Sequence, residues 1–228
     1  FGQQTFQFGE GLKECRAPQK IYTDQSSNAP VPAPIQSHYQ GGERAIVLRQ
    51  MGTSGNGFGF LGVRQYIWAE PAINAISFMH RMNVPPNGPS SGHLAYDYTI
   101  DGGATWTNNV QVYDPTLTGG FGARYPQGAL YNPEGNTDPV NAYYGYFGAT
   151  LDASNGTTWG GYCYGTHKFT TSEPPTQHDV PATPEFLQGV PDTYTITRQG
   201  MAICVDPSNN GVGVPYADFM VITKGQFN

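Results

Sequence analysis

The chain has 228 residues and a formal net charge of −6, and its 11 Lys and Arg residues form no cluster. These features exclude nucleic acid from the expected partners, because a phosphate backbone requires a basic surface. No run of about 18 apolar residues occurs, so the sequence predicts no transmembrane segment. The 30 Gly, 19 Pro, 15 Tyr and 12 Phe, with only 12% charged residues, favour turns and strands over helices.

Residues 1–42 differ in composition from the rest of the chain. The stretch "SSNAPVPAPIQSHYQGG" mixes Pro, Ser and Gly without periodicity, which predicts an extended N-terminal linker. A start at "FGQQ", without Met, is expected for the mature end of a processed, exported chain. We therefore place the folded domain at residues 43–228.

From Arg44 onward, short apolar or alternating runs are separated by Gly, Pro, Asn and Asp. Many short strands at such intervals predict an all-β domain, either a sandwich, a barrel or a propeller. The predicted strands are, in chain order, "AIVLRQM", "AISFMHRM", "HLAYDYTI", "NNVQVYD", "GALYNP", "AYYGYFGATL", "WGGYCYGTHKF", "DTYTITRQ", "MAICVD" and "DFMVITKG".

Between two of these strands lies the pattern Thr99-x-Asp101-x-Gly103-x-Thr105-Trp106. Asp-Gly-Gly supplies the positive φ angles of a tight hairpin, and Asp101 is placed to accept hydrogen bonds from the N–H groups of the turn. Thr99 and Thr105 are expected to satisfy neighbouring polar groups, and the ring of Trp106 to cover the hairpin. The pattern predicts a structural role for Asp101.

A second octet, "DASNGTTW", ends 53 residues after the first. It keeps Gly156, Thr158 and Trp159 at matching positions, but Ser154 stands where the first octet has Asp101. The spacing is near the length of a long propeller blade, so we predict a degenerate second copy of the same hairpin.

The first octet resembles the Asp box, or bacterial neuraminidase repeat, of sialidase-like β-propellers. Residues 74–165 more widely resemble the propeller region of secreted Bacteroidetes proteins that are exported by type IX secretion. The resemblance implies an antiparallel propeller, Asp boxes on the blade periphery away from the catalytic face, and a secreted or outer-surface location. At 53 residues per blade the domain provides roughly three or four blades where propellers have about four to eight, so we expect a truncated propeller.

Three cysteines, Cys15, Cys163 and Cys204, allow at most one intrachain disulfide. Cys163 and Cys204 are the preferred pair because both lie in strand-like runs. Three buried free thiols are the open alternative.

No cofactor is predicted, and calcium is the single metal considered. "DPSNNG" places Asp206, Ser208 and Asn210 at alternate positions, half resembling a calcium loop, but Asp218 is one residue from the place of the closing carboxylate. A turn without metal is the alternative at this position.

The sequence carries no nucleophile signature such as G-x-S-x-G, and the single histidines His80 and His93 have no partner at metal-ligand spacing. Tyr143, Tyr144, Tyr146 and the nearby Arg124 are candidate ligand contacts, because Tyr offers both an apolar face and a hydroxyl. Packing between blades is the competing use of these aromatic residues. We therefore predict a non-catalytic binding or structural module for a glycan or an extracellular protein, capable of self-assembly with its own copies or other chains. A sialidase-like glycoside hydrolase and a β-sandwich carbohydrate-binding domain are the alternatives.

Overall fold

A computed structural model describes residues 50–52, 65–82, 85, 88–119, 121–152, 159–181, 190, 193–208 and 218–226. For residues 205–208 and 218–226 it describes the backbone alone. All of them belong to one compact unit, Leu48–Asn228. The predicted linker at 1–42 lies outside the described residues. Among the described residues, no helix has the length and apolar character needed to cross a membrane.

The described part of the chain folds into three antiparallel sheets, which confirms the all-β prediction. The first sheet contains β1 (Ile67–Glu70), β2 (Ala75–Arg81), β3 (Leu94–Thr99) and β4 (Thr107–Tyr113). The second contains β5 (Ala123–Tyr131), β6 (Tyr143–Leu151), β7 (Trp159–Lys168) and β8 (Thr176–Pro181). The third contains β9 (Thr193–Ile196), β10 (Met201–Ser208) and β11 (Asp218–Gln226). In each sheet the strands pair in chain order.

The second sheet is covered on both faces. One face packs on the first sheet, where Tyr144 lies parallel to Tyr96 with 4.0 Å between ring centroids. The other face packs on the third sheet, where Phe147 faces Tyr194 with 6.2 Å between centroids. Because side chains alternate along a strand, neighbouring residues of β6 enter different cores. This double burial accounts for the aromatic content of "AYYGYFGATL".

The first two sheets stack in the same strand order. Strand β5 contacts β1 and β2 of the first sheet, and it also contacts β9 of the third sheet. At the far side of the stack, β4 contacts β7 and β8. The first strands of the three sheets therefore follow one another along one side, and the last strands of the first two sheets lie on the opposite side.

Three short 3-10 helices, Pro71–Ile73, Pro115–Leu117 and Pro139–Asn141, each begin after an acidic residue followed by Pro. The carboxylates of Glu70, Asp114 and Asp138 accept the N–H two residues ahead, and Pro occupies a first-turn position that needs no donor. The acid-Pro pair is a local signal for where each of these 3-10 helices begins.

The predicted disulfide is wrong, because both cysteines are free. Cys163 belongs to the core between the first and second sheets, whereas Cys204 belongs to the core between the second and third. Burial raises the pKa of the Cys163 thiol well above its usual value. Cys15 lies outside the described residues.

The two octets do not occupy equivalent places, which corrects the predicted repeat. Trp106 ends the turn before β4, the fourth strand of its sheet, whereas Trp159 opens β7, the third strand of the next sheet. Ser154, Gly156 and Thr158 lie outside the described residues. The 53-residue spacing therefore does not mark successive sheets, whose first strands begin at Ile67 and Ala123.

Candidate functional site

The hairpin between β3 and β4 has the hydrogen bonds that the sequence predicts for Asp101. Its Oδ1 accepts from the Ala104 N–H at 2.9 Å and from the Thr99 hydroxyl at 2.6 Å. Its Oδ2 accepts from the Thr105 N–H at 3.0 Å and the Thr105 hydroxyl at 2.6 Å. Gly102 and Gly103 have φ angles of 71° and 95°, as a turn of this kind requires.

These bonds explain the acidity of Asp101. The hydroxyls of Thr105 and Thr99, followed by the N–H of Thr105, hold the pKa of Asp101 well below its usual range, because each bond favours the ionised form. Both oxygens of the carboxylate accept hydrogen bonds from its own turn. Asp101 therefore locks the hairpin.

A second group of polar side chains lies at the end of the first sheet opposite the Asp101 hairpin. This end, roughly 20 Å from Asp101 along the six residues of β3, is where β2 and β4 finish and where β3 and β5 begin. Antiparallel pairing of Arg81 with Leu94, and of Leu94 with Tyr113, brings these chain ends together. Five side chains of the site lie here: Arg81, Ser90, His93, Asp114 and Arg124.

Two of them form an arginine pair. The Arg81 Nε donates to the Ser91 carbonyl at 2.6 Å, and the Arg124 Nη1 donates to the same oxygen at 3.4 Å and to the Ala123 carbonyl at 2.8 Å. Burial, and then the charge of Arg124, lowers the pKa of Arg81 to about 10. Burial also lowers the pKa of Arg124. Both groups stay charged at neutral pH, so this end of the sheet concentrates positive charge.

Gly122 makes room for the Arg124 guanidinium, and Gly92 makes room for Gly122. A side-chain carbon on Gly122 would lie 3.3 Å from the Arg124 Nη1, and one on Gly92 would lie 3.1 Å from the Gly122 Cα. The Gly92 carbonyl accepts from the Ala123 N–H at 2.9 Å, which ties the two loops to each other. The neighbouring Tyr125 has a φ of 48°, a left-handed conformation that is uncommon for a non-glycine residue.

The other three side chains form a relay of a hydroxyl, an imidazole and a carboxylate. The Ser90 Oγ lies 2.9 Å from the His93 Nδ1, and the His93 Nε2 lies 3.1 Å from the Asp114 Oδ1. Burial acts to raise the pKa of Asp114, but hydrogen bonds from Thr116 and the neighbouring His93 hold it below its usual value. Asp114 is thus ionised at neutral pH and orients the imidazole.

The backbone of Asp114 is held in place by β8. Its N–H donates to the Gln177 Oε1 at 2.9 Å, and its carbonyl accepts from the Gln177 Nε2 at 2.8 Å. Because Gln177 belongs to the second sheet, these two bonds tie the relay of the first sheet to the second sheet. No sequence signal links residues 114 and 177, since their contact depends on how the sheets stack.

His80, in contrast, has a structural role. It is fully buried, its Nε2 lies 3.0 Å from the Asp97 Oδ1, and its Nδ1 lies 2.9 Å from the Arg81 carbonyl. The Asn109 N–H donates to the same Asp97 oxygen at 2.7 Å. A side chain at Gly52 would collide with the Asp97 carboxylate, so the chain passes directly over this pair.

The predicted tyrosine contacts are largely wrong. Tyr144 and Tyr146 are fully buried between the first and second sheets and cannot contact a ligand. Tyr143 is partly exposed at the start of β6, where it pairs with Tyr131 at the end of β5, whereas Arg124 lies near the other end of β5. Of the predicted contacts, Arg124 is the one that the structure brings into the polar cluster.

The calcium candidates lie on two paired strands. Asp206 and Ser208 belong to β10, where they pair with Met220 and Asp218 of β11. Asn210 lies outside the described residues. Within the described part of the chain, no group of three or more His, Cys, Asp or Glu side chains could hold a metal ion.

Sequence reasoning missed Arg81, Ser90, His93 and Asp114. The acid-Pro signal at Asp114 and the polar "PSSGH" stretch between two strands were visible, but their convergence depends on strand register. Comparison with protein-family models, with curated proteins and with solved structures finds no match for this chain.

Proposed function

We propose that this chain is part of an exported, Asp-box β-propeller that binds an anionic partner, such as an acidic glycan, through the arginine pair Arg81–Arg124. The location outside the cell and the Asp-box family rest on the sequence resemblance. The binding role rests on the site at the arginine end of the first sheet.

The stacking of the sheets supports a propeller over a two-layer sandwich. In a sandwich each sheet buries one face, whereas the second sheet here buries both. Four-stranded meanders that stack in the same strand order are the units from which propellers are built, and the first two sheets have this form. The series β1, β5 and β9 would line the inner side, which leaves the Asp101 hairpin towards the periphery.

The observation that carries the binding proposal is the convergence of the buried Arg81 and the partly exposed Arg124 on the Ser91 carbonyl. An anion that approaches Arg124 is attracted by the positive charge of both groups. Arginine presents a planar set of donors that matches a carboxylate, and it is favoured where such groups are recognised. A carboxylate-bearing glycan satisfies this chemistry.

A glycan array that contains acidic glycans and their neutral counterparts tests the proposal. We expect binding to the carboxylated members, and loss of that binding in Arg124→Gln. Arg198→Gln is the matched control, because Arg198 is exposed in the turn between β9 and β10. Equal binding of acidic and neutral glycans, or equal loss in both variants, would contradict the proposal. Turnover of fluorogenic glycosides that depends on Arg124 would support the glycosidase alternative instead.

A further inference from the structure

The relay Ser90–His93–Asp114 has a defined direction of proton donation. An ionised Asp114 can only accept, so the His93 Nε2 carries a proton and donates it across the 3.1 Å contact. In the neutral imidazole the Nδ1 is then an acceptor, and the Ser90 hydroxyl at 2.9 Å donates to it. The Ser90 Oγ also accepts from the Gly92 N–H at 3.2 Å. This is the order of groups that activates a serine for nucleophilic attack.

The burial of the three groups suits this chemistry. The side chain of His93 is 7% exposed and that of Asp114 is 26% exposed, so water competes little for the imidazole. Ser90 is partly exposed and lies in the loop before β3, where a reactant can reach it. The base is therefore enclosed and the hydroxyl is accessible.

Positive charge lies close to Ser90. The Arg124 Nη1 donates to the carbonyl of the next residue, Ser91, at 3.4 Å. The oxygen of an acyl group on the Ser90 Oγ would therefore develop its charge near this guanidinium. Guanidinium donors stabilise the negative charge that develops on such an oxygen.

We infer that Ser90 is a nucleophile that accepts acyl groups from esters carrying a carboxylate, with His93 as its general base and Asp114 as the residue that orients the base. This inference goes beyond the proposed binding function, because it assigns the chain a catalytic activity.

The reaction balances with water as the second reactant. The Ser90 Oγ bonds to the ester carbonyl carbon, the hydroxyl proton moves to the His93 Nδ1, and the C–O bond to the leaving alcohol breaks as that oxygen takes the proton. Water then attacks the acyl carbon and gives a proton to His93, and the Ser90 oxygen recovers it as the carboxylic acid departs. Ser90 and His93 return to their starting states.

A fluorophosphonate probe tests the nucleophile directly. In this labelling, an Oγ–P bond forms, the P–F bond breaks, and the serine proton leaves through His93. We expect a single label per folded chain, mapped to Ser90 by peptide mass spectrometry, and none in Ser90→Ala. Ser91→Ala is the matched control and should label as the unmodified chain does. Asp114→Asn keeps a residue suited to capping Pro115–Leu117 and should label roughly 100-fold more slowly.

Two further measurements separate catalysis from a structural role. His93→Gln removes the general base and leaves the Ser90 hydroxyl in place, so it should abolish labelling in protein whose melting temperature shows that it is folded. Hydrolysis of the p-nitrophenyl monoester of succinic acid should exceed that of p-nitrophenyl butyrate, and Arg124→Gln should remove this preference.

Failure to label Ser90 in the folded chain, together with a lower melting temperature in Ser90→Ala, would overturn the inference and assign the relay to loop stability. Labelling without preference for the succinate ester would overturn the assigned substrate class. The glycan-array result is independent of both outcomes, because Ser90→Ala leaves Arg81 and Arg124 in place.

Discussion

Replacement of His80 by Leu should destabilise the protein strongly, because it leaves the buried Asp97 carboxyl group without the imidazole that pairs with it. Both side chains are fully buried, and among the described contacts the Asp97 Oδ1 would keep only the Asn109 N–H at 2.7 Å. Removal of one partner from a buried pair costs about 3–5 kcal/mol. Folded domains have a total stability of roughly 5–15 kcal/mol, so a large part of the stability should be lost.

Urea unfolding followed by intrinsic fluorescence measures this loss as a lower midpoint at an unchanged slope. The double variant His80→Leu/Asp97→Asn should recover much of the stability, because no buried charge remains without its partner. Glu134→Gln is the control, since Glu134 is exposed between β5 and β6 and its replacement should change stability by less than about 0.5 kcal/mol. A loss below about 1 kcal/mol in His80→Leu would refute the reasoning and show that water reaches Asp97.

Three other outcomes follow from the fold. Asp101→Ala should lower the melting temperature at pH 7. Because the pKa of Asp101 is depressed in the folded state, its carboxylate stabilises the fold above about pH 4, and this stabilisation is lost as the pH falls below that value. The difference in melting temperature between the variant and the unmodified chain should therefore be smaller at pH 3 than at pH 7. Cys163 and Cys204 should resist a thiol reagent in the native protein and react after denaturation, and reduction should not change the mass of the chain. Gly128→Ala should cost roughly 1–3 kcal/mol in urea unfolding, because the added methyl group would overlap the Tyr144 ring; a stabilising effect would contradict the packing described for β5.

Local chemistry accounts for what the sequence predicted well. The hairpin at Thr99–Trp106 is specified by residues within eight positions of one another, so its Asx-type bonds could be predicted without knowledge of the fold. Nine of the ten predicted strands fall on described strands, and the tenth, "AIVLRQM", lies mostly outside the described residues. Strands β1 and β8 were missed because they lie at sheet edges and are partly exposed, so their sequences lack an apolar pattern.

The remaining features depend on contacts between distant segments. A run of alternating aromatic residues does not reveal whether one or both faces of its sheet are covered, and for this reason Tyr144 and Tyr146 were expected to contact a ligand. The sequence also does not reveal which core Cys163 of β7 and Cys204 of β10 enter, and for this reason the two were expected to form a disulfide. Arg81 and Arg124 are 43 positions apart in the chain, and only strand order and stacking place both at the Ser91 carbonyl.

The most direct test of the central claim compares the affinity of three chains for an acidic glycan selected on the array. Hydrogen bonds to charged groups contribute about 1.5–3 kcal/mol, so Arg124→Gln should weaken binding by roughly 10-fold to 100-fold. Asp101→Ala, measured below its melting temperature, should bind as tightly as the unmodified chain. Unchanged affinity in Arg124→Gln, or an equal loss in Asp101→Ala, would contradict a ligand site at the arginine end of the first sheet.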